Sequence, residues 1–256
     1  PEGKLGTEFP GFTPDAQHPW IGDPRDPARM ESARKVRRAL SLAIDKQVIV
    51  NSVFGGLGVA GGTDVGFLPT DEQWKDNWTI PYDPEQAKQL VKEAGYPNGF
   101  TVELWNPPDN VMNPEAGQAI AQMWRQIGLQ VDINSSAYAA MRPNFFDGKM
   151  NAVMYFAATS GNVDALKAGQ LGPASVLWAQ LPCDVQQLYF DNKKEPSREK
   201  RIENNIKIQD YINQWSLSVP FATVNTYFMV GPRIKSWTPH FKTGPYITNT
   251  WTIELK

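Results

Sequence analysis

The sequence has little cysteine and little histidine: one cysteine, Cys183, and two histidines, His18 and His240. A single cysteine cannot form an intramolecular disulfide, and it does not decide between a reducing and an oxidising compartment. No C-x-x-C or H-E-x-x-H spacing is present to hold zinc, and no G-x-S-x-G motif supports a serine nucleophile. We therefore expect no metal, no cofactor and no local catalytic motif, although a catalytic site assembled from distant residues stays open.

The sequence also lacks an excess of positive charge and a long apolar run. A net charge of -2 and a pI near 5.8 argue against a general nucleic-acid surface, which concentrates Lys and Arg. No apolar run approaches the roughly 20 residues that cross a bilayer. The N-terminus has no basic-then-apolar signal peptide, a feature that a processed chain would also lack.

The sequence has enough apolar residues to form a core. With 256 residues, 41% of them hydrophobic, it suits one or two domains. Nine Trp residues suit either core filling or the flat walls of a binding groove. Pro and Gly recur in residues 1–30, which we interpret as an extended connector.

The stretch "DPEQAKQLVKEAGYPNGF" has clear start and stop signals for a helix. Asp83 predicts an N-cap, Pro84 the first helical position and Gln86 a capping box. Gly95 predicts the stop. The alternation that begins at Phe100 then predicts a strand.

Two more helices are predicted earlier in the chain. One begins at Asp26-Pro27 and buries a stripe that includes Val36 and Leu40. Four of its basic residues are expected on a solvated face, with a basic ligand site as the alternative: Arg34, Lys35, Arg37 and Arg38. Asp45 is expected to cap a second helix over 46–54.

The helix-then-strand pattern recurs downstream. A helix after Asn113 leads to the strand "LQVDIN", which predicts a parallel pair joined by a right-handed crossover. A helix over 139–146, the strand "NAVMYFA", a helix from Ser197 and an extended segment over 219–230 follow. The fold class is therefore α/β.

Two motifs have structural interpretations that we prefer. "GLGVAG", Gly56 to Gly61, matches the dinucleotide fingerprint G-x-G-x-x-G, but it follows a predicted helix rather than a strand, which favours a turn. Asp71 and Glu72 resemble a glycosidase acid pair, but adjacent acids in a polar loop are commonly solvated.

Three segments in order resemble one family: "VRRALSLAIDKQVIVNSVFGGLG", "YDPEQAKQLVKEAGYPNGF" and "AGQAIAQMWRQIGLQVDI". They are similar to the C-terminal lobe of extracellular solute-binding proteins of family 5, the dipeptide, oligopeptide and nickel receptors of ABC importers. The resemblance covers roughly residues 30–135 and continues more weakly through "SREKRIENNIKIQDYINQW".

The resemblance implies a lobe of the type II periplasmic-binding-protein fold, with a mixed, largely parallel sheet flanked by helices. It also implies that the chain is a C-terminal fragment of a two-lobed protein. We expect a connector at 1–30, the ligand-binding lobe at 31–218, and a segment at 219–256 that crosses the hinge toward the missing N-terminal lobe. The implied location is periplasmic or extracellular, with a membrane tether through an absent N-terminal lipoprotein signal. The implied partners are a peptide or other small solute and a membrane permease, with no nucleic acid.

The resemblance also implies ligand positions. The family's first aromatic falls on Tyr138 and its tryptophan on Phe156. Its acidic position, which receives a peptide's ammonium, falls on Thr159. Because a hydroxyl gives only a neutral hydrogen bond, we expect no standard amine anchor unless Asp164 replaces it.

Other candidates come from the residues themselves. Arg142 suits an anionic ligand group or an ordinary surface position. Trp105 and Asn106 end a parallel strand, where α/β sheets place ligands, although Trp105 equally suits the core. Ser160 and Asn162 belong to a polar run suited to a neutral solute or to a turn.

We interpret the chain as a non-enzymatic binding protein. The sensory module of a transcriptional regulator is one alternative, and an upstream helix-turn-helix would identify it. A hydrolase on the same scaffold is another, and turnover of a peptide or oligosaccharide would identify it.

Overall fold

The computed structural model describes residues 17–23, 26–109, 114–146, 153–154, 181, 183–224, 230–237 and 253–256. Its α-helices are α1 Pro27–Leu42, α2 Lys46–Ser52, α3 Pro84–Glu93, α4 Pro114–Gln126, α5 Tyr138–Phe146, α6 Cys183–Lys194 and α7 Arg198–Trp215. Its strands are β1 Gly58–Ala60, β2 Thr101–Trp105, β3 Gln130–Asn134, β4 Val153–Met154, β5 Ala222–Val224, β6 Ile234–Ser236 and β7 Glu254–Leu255. No helix within these ranges has the length and apolar character needed to span a bilayer.

Short polar side chains start the helices where the sequence predicts. The Asp26 carboxylate accepts from Ala28 N at 2.9 Å, and the Asp45 carboxylate accepts from Val48 N at 3.0 Å. Ser197 likewise caps α7. These side chains satisfy backbone amides that have no partner within the first turn. The predicted helix starts are confirmed, although α2 ends at Ser52 rather than at residue 54.

Of the two hydrogen bonds in the capping box predicted at the start of α3, one is confirmed and the other is wrong. Asp83 Oδ1 accepts from Gln86 N at 2.8 Å, as an N-cap should. The Asp83 N–H, however, donates to Leu42 O at 2.9 Å instead of to the Gln86 side chain. The end of α1 therefore occupies the position that Gln86 was expected to fill. At the other end of α3, Gly95 has the positive φ of 99° that a helix stop favours.

A parallel sheet with the order β3-β2-β4 forms the centre of the fold. Thr101 pairs with Gln130 and Trp105 with Asn134, so β2 and β3 run in the predicted parallel register. Along β2, Val102 and Leu104 are buried on the face that packs against helices. Since α4 connects β2 to β3, the predicted strand-helix-strand unit is confirmed.

A side chain of α4 contacts the sheet at its β3 edge. Arg125, in the last turn of α4, donates from Nη2 to Val131 O at 2.7 Å. Val131 is the second residue of β3, which is an edge strand of the described sheet. The crossover helix therefore contacts the strand that follows it through a charge-assisted hydrogen bond.

Two apolar clusters make up the core of the described part of the chain. The first packs α1, α3 and α4 against the parallel sheet and contains Val36, Leu40 and Trp124. The second joins α6, α7 and the 65–78 loop around Phe67, Trp78 and others. Burial of apolar surface at roughly 25 cal/mol per Å² makes such clusters the main stabilising element of the fold.

The prediction of a fully solvated basic face on α1 is wrong for Arg37. Arg34 forms an ion pair with Glu31 at 2.6 Å and stays partly exposed. Arg37 is only 6% exposed, because residues far away in sequence cover this part of the helix. Helical periodicity alone could not identify those residues.

The glycine-rich stretch forms a strand and not a nucleotide loop. β1 begins at Gly58 and pairs antiparallel with β5, with Gly58 opposite Val224. A Cβ at Gly58 would lie 2.7 Å from Thr223 O, so the glycine permits close approach of the two strands. Phosphate binding would need a strand before the glycines and a helix after them, and neither flanks this stretch.

Candidate functional site

The candidate site lies where the parallel strands β2 and β3 end together. The last ladder pair is Trp105 with Asn134, and the Asn106 N–H extends the ladder by donating to Asn134 O at 2.9 Å. Ligands of open α/β sheets bind in the crevice at the carboxyl ends of the strands. The loops that follow β2 and β3 therefore supply the candidate side chains.

Two aromatic rings from these loops stack on each other. The rings of Trp105 and Tyr138 have centroids 5.9 Å apart and planes inclined by 11°. Trp105 is 0% exposed, and its Nε1 donates to Ser136 O at 2.7 Å. Tyr138, the first residue of α5, is only partly buried. We call this pair the aromatic platform: Trp105 is its fixed base and Tyr138 its accessible member.

Asp109 positions the accessible member of the platform. Its Oδ1 accepts from the Tyr138 N–H at 3.0 Å, and Asp109 itself is exposed. A carboxylate at a helix N-terminus is favoured by the helix dipole and by the free amides there. Sequence reasoning missed Asp109, although an acid in the Pro-rich loop after a buried strand was the available signal.

Asn106 is buried beside the platform and is 2% exposed. Its Nδ2 donates to Pro114 O at 2.8 Å, while its Oδ1 has no hydrogen-bond partner within the described ranges. A Cβ on Gly117 would lie 2.5 Å from both Asn106 Cγ and Oδ1. The absence of a side chain at Gly117 thus makes room for Asn106 against α4.

Some of the predicted site residues lie close together in the structure. Trp105, Asn106 and Tyr138 meet at the carboxyl edge, and Arg142 is exposed one turn further along α5. The burial of Trp105 and Asn106 favours a supporting role for both. β4 ends at Met154, which pairs with Trp105. The remaining predicted residues follow β4 in sequence and lie outside the described residues: Phe156, Thr159, Ser160, Asn162 and the alternative acid Asp164.

A groove of about 560 Å³ lies on the polar face of β2 and β3 and reaches Asn134, the last residue of β3. Its lining includes Glu103, Asp132 and the aromatic side chains of Trp20 and Phe100. Neither ring of the aromatic platform lines it. The groove and the aromatic platform are therefore two different surfaces of the same sheet.

The other chemistries considered from the sequence concern a metal site and the acid pair Asp71 and Glu72. No group of three potential metal ligands occurs within the part of the chain that the structure describes. Asp71 Oδ2 accepts from Leu68 N at 2.8 Å, so this acid stabilises a turn in its loop, while Glu72 is exposed.

Buried ionisable groups lie away from the platform. Lys46 is 5% exposed and donates to Ser41 O at 3.0 Å and to Ile80 O at 2.8 Å. Burial lowers the pKa of Lys46 to about 8, and the nearby Arg38 adds to this shift. Burial raises the pKa of Asp64, while a hydrogen bond from Ser218 opposes that rise.

Comparison with protein families identifies the class of protein to which this chain belongs. The family model for the middle region of bacterial extracellular solute-binding proteins, family 5, matches residues 13–171. This match covers more than half of the chain, and the chain belongs to this family. The family consists of solute-binding transport proteins that are periplasmic or extracellular.

Individual relatives match parts of the chain. Heme-binding protein A of Haemophilus influenzae is 32% identical over 148 residues, which cover 56% of this chain and 27% of that protein. The dipeptide-binding protein of Escherichia coli is 34% identical over 125 residues, covering 47% of this chain and 23% of the relative. Di/tripeptide-binding protein 3 of Pseudomonas aeruginosa is 27% identical over 85% of this chain and 42% of its own length. The chain thus matches less than half the length of each.

Solved structures show the same fold. HbpA2 from Haemophilus parasuis superposes with a TM-score of 0.72 at 22% identity, covering 91% of this chain and 46% of that one. A dipeptide-binding protein from Pseudoalteromonas sp. SM9913, in complex with Met-Leu, gives a TM-score of 0.67 at 22% identity, with 87% and 45% covered. These neighbours are type II periplasmic binding proteins, so the predicted fold class is confirmed.

Proposed function

We propose that the chain forms the C-terminal lobe of a solute receptor that serves an ABC importer. It binds a peptide-like or other polar solute between itself and a second lobe, and it delivers that solute to a membrane permease. Membership of family 5 over residues 13–171 carries this proposal. The relatives named for dipeptides, di/tripeptides and glutathione support a peptide-like solute.

The aromatic platform is the surface that we assign to the solute. Tyr138 is partly buried and its ring lies on Trp105, so one face has a fixed apolar support. A ring held in place loses little side-chain entropy when a solute packs against it. Arg142, exposed on the same helix, adds a cation that suits a carboxylate of the solute.

Closure of two lobes around the solute would provide the transport signal. A solute that contacts both lobes favours the closed state by the difference between its affinities for the two states. The permease would then distinguish closed receptor from open receptor by shape. We place the receptor in the periplasm or outside the cell, held at the membrane by a lipoprotein anchor.

We infer further that the solute is not held by a carboxylate at the family's usual amine position. By the resemblance, that position falls on Thr159, which offers only a neutral hydrogen bond unless Asp164 replaces it. Solutes such as oligosaccharides need no ammonium anchor. The solute panel should therefore include molecules with and without a free amine.

Calorimetry and mass spectrometry on the protein at its natural length test the proposal. The panel consists of dipeptides, N-acetylated dipeptides, glutathione, heme and oligosaccharides. We expect binding of one class with no chemical change in the solute. At 100 times the Kd, that solute should raise the free energy of unfolding by about 2.7 kcal/mol. Release of hydrolysed product would overturn the proposal in favour of a hydrolase. Sequence-specific DNA binding would overturn it in favour of a regulator.

A further inference from the structure

Arg37 joins three separate parts of the chain. From the middle of α1, its Nη1 donates to Trp20 O at 2.7 Å. Its Nη2 donates to Trp215 O at 3.0 Å, and its Nε to Ser216 O at 3.1 Å. The guanidinium thus contacts the segment before α1 and the end of α7, which lie 17 and up to 179 residues away in sequence.

Backbone carbonyls are the hydrogen-bond partners that the structure gives to this buried cation. Arg37 is 6% exposed, and no carboxylate in the described ranges forms an ion pair with it. Burial of a cation is costly unless its donors are satisfied. Guanidinium donors point in fixed directions, so the carbonyls of Trp20, Trp215 and Ser216 must keep fixed relative positions.

The end of α7 has features that are stabilised by hydrogen bonds from outside the helix. The last carbonyls of a helix have no partner within the helix, and a cation beside them also interacts favourably with the helix dipole. Ser216 has φ of 48°, a left-handed conformation that costs a non-glycine residue energy. Its side chain is 1% exposed, and its Oγ has no hydrogen-bond partner among the described residues. The Arg37 contact at Ser216 O stabilises this unfavourable turn.

The segment before α1 is fixed on its other side by aromatic packing. Trp20 is 8% exposed, lies 5.3 Å from the ring of His18 and 6.2 Å from that of Phe100, and belongs to the first apolar cluster. Trp215 packs against the second apolar cluster. Arg37 therefore links the two clusters through the segment before α1 and the end of α7.

We propose that Arg37 is a positioning residue that locks the segment before α1, 17–23, and the end of α7, 215–217, into one unit that opens together. On the proposed function, 17–23 belongs to the connector expected at 1–30, and 215–217 lies just before the hinge-crossing segment expected at 219–256. The lock then makes these two parts of the lobe move together when the receptor closes. The contacts that define the lock do not depend on the solute or on the second lobe.

Hydrogen exchange with mass spectrometry tests the lock in the absence of solute. We expect Arg37→Met to accelerate exchange about tenfold or more in peptides covering both segments, while β2 and β3 change less. Arg37→Lys should protect at most one of the two segments, because an ammonium lacks the guanidinium fork. Lys46→Met is the matched control, since it removes another buried cation that contacts neither segment.

Two results would overturn the inference. One is acceleration confined to a single segment, and the other is equal acceleration throughout the chain, which indicates loss of global stability alone. If Arg37→Met does not fold, the wild-type protein gives the answer. Its two segments should then show the same opening free energy and the same denaturant dependence, and different values would refute the lock. Failure of solute binding would refute the proposed function and leave this result unaffected.

Discussion

Tyr138 lies almost parallel to Trp105, with 5.9 Å between the ring centroids and 11° between the planes. One ring is fully buried and the other is partly exposed. The two positions therefore have different roles, and substitutions at each should give different results.

Tyr138→Ala should weaken binding of the identified solute about three- to tenfold, because the solute loses an aromatic contact. Tyr138→Phe keeps the ring and should bind within about twofold of wild type. Calorimetry measures both effects, and Tyr82→Ala serves as a control because Tyr82 is an exposed aromatic, 48% accessible, outside the platform. Equal affinity of Tyr138→Ala and wild type would remove Tyr138 from the site.

Trp105→Ala should instead lower the free energy of unfolding by about 3–5 kcal/mol, as expected for loss of a fully buried aromatic. Urea denaturation followed by circular dichroism measures this change. A loss below about 1 kcal/mol would contradict the assignment of Trp105 as the base of the platform.

Gly117→Ala should destabilise the protein by about 1–3 kcal/mol, because the new methyl would overlap the Asn106 side chain. In an unobstructed helix the same change would stabilise by up to about 1 kcal/mol, so the sign of the effect is diagnostic. Denaturant titration of Gly117→Ala, Asn106→Ala and the double variant should show that the two changes are coupled. Gly231→Ala, which has no atoms within 4 Å of the added Cβ, should be near neutral. Additive effects at Asn106 and Gly117 would contradict the steric explanation.

Lys46 should make the stability depend on pH in the alkaline range. Its pKa is lowered from 10.5 to about 8, so between these values the unfolded chain binds more protons than the folded chain. Stability therefore rises with pH across this window, and the cost of the buried charge is fully present below pH 8. Relative to Lys46→Met, the wild-type free energy of unfolding should rise by on the order of 3 kcal/mol from pH 8 to 10.5. Parallel pH curves for wild type and Lys46→Met would contradict the prediction.

Thr159→Asp should create selectivity for a free amine in a peptide solute. A carboxylate forms a charge-assisted hydrogen bond with an ammonium group, so the variant should prefer a dipeptide over its N-acetyl derivative by about fivefold or more. Wild type should show little preference, and Thr159→Ser controls for the substitution itself. Calorimetry with both peptides makes the comparison. A sharp loss of wild-type affinity on acetylation would refute the prediction.

The local signals in this sequence predicted local structure well. Asp26, Asp45, Asp83 and Ser197 mark helix starts because capping depends on backbone groups only two or three residues away. The parallel pairing of β2 with β3 also followed from the order of elements. These predictions needed no knowledge of distant contacts.

Predictions of side-chain burial and contacts failed or stayed incomplete where residues distant in sequence surround the side chain. Arg37 has the same helical context as Arg34, and the carbonyls of Trp20, Trp215 and Ser216 distinguish it. The contact of Asp109 with Tyr138 likewise spans 29 residues and two loops. Trp105 could be assigned to either core or site from its sequence, and its burial became evident only in the packed structure.

The contact between Arg125 and Val131 has a consequence for self-association. An exposed strand edge can recruit a strand from another molecule, which is a common first step in aggregation. At β3 the Val131 carbonyl already accepts a 2.7 Å hydrogen bond from a guanidinium, and the exposed Asp132 adds a negative charge beside it. A strand from another molecule would have to break the Arg125–Val131 hydrogen bond and approach the Asp132 carboxylate. The β3 edge is therefore protected against strand addition and aggregation.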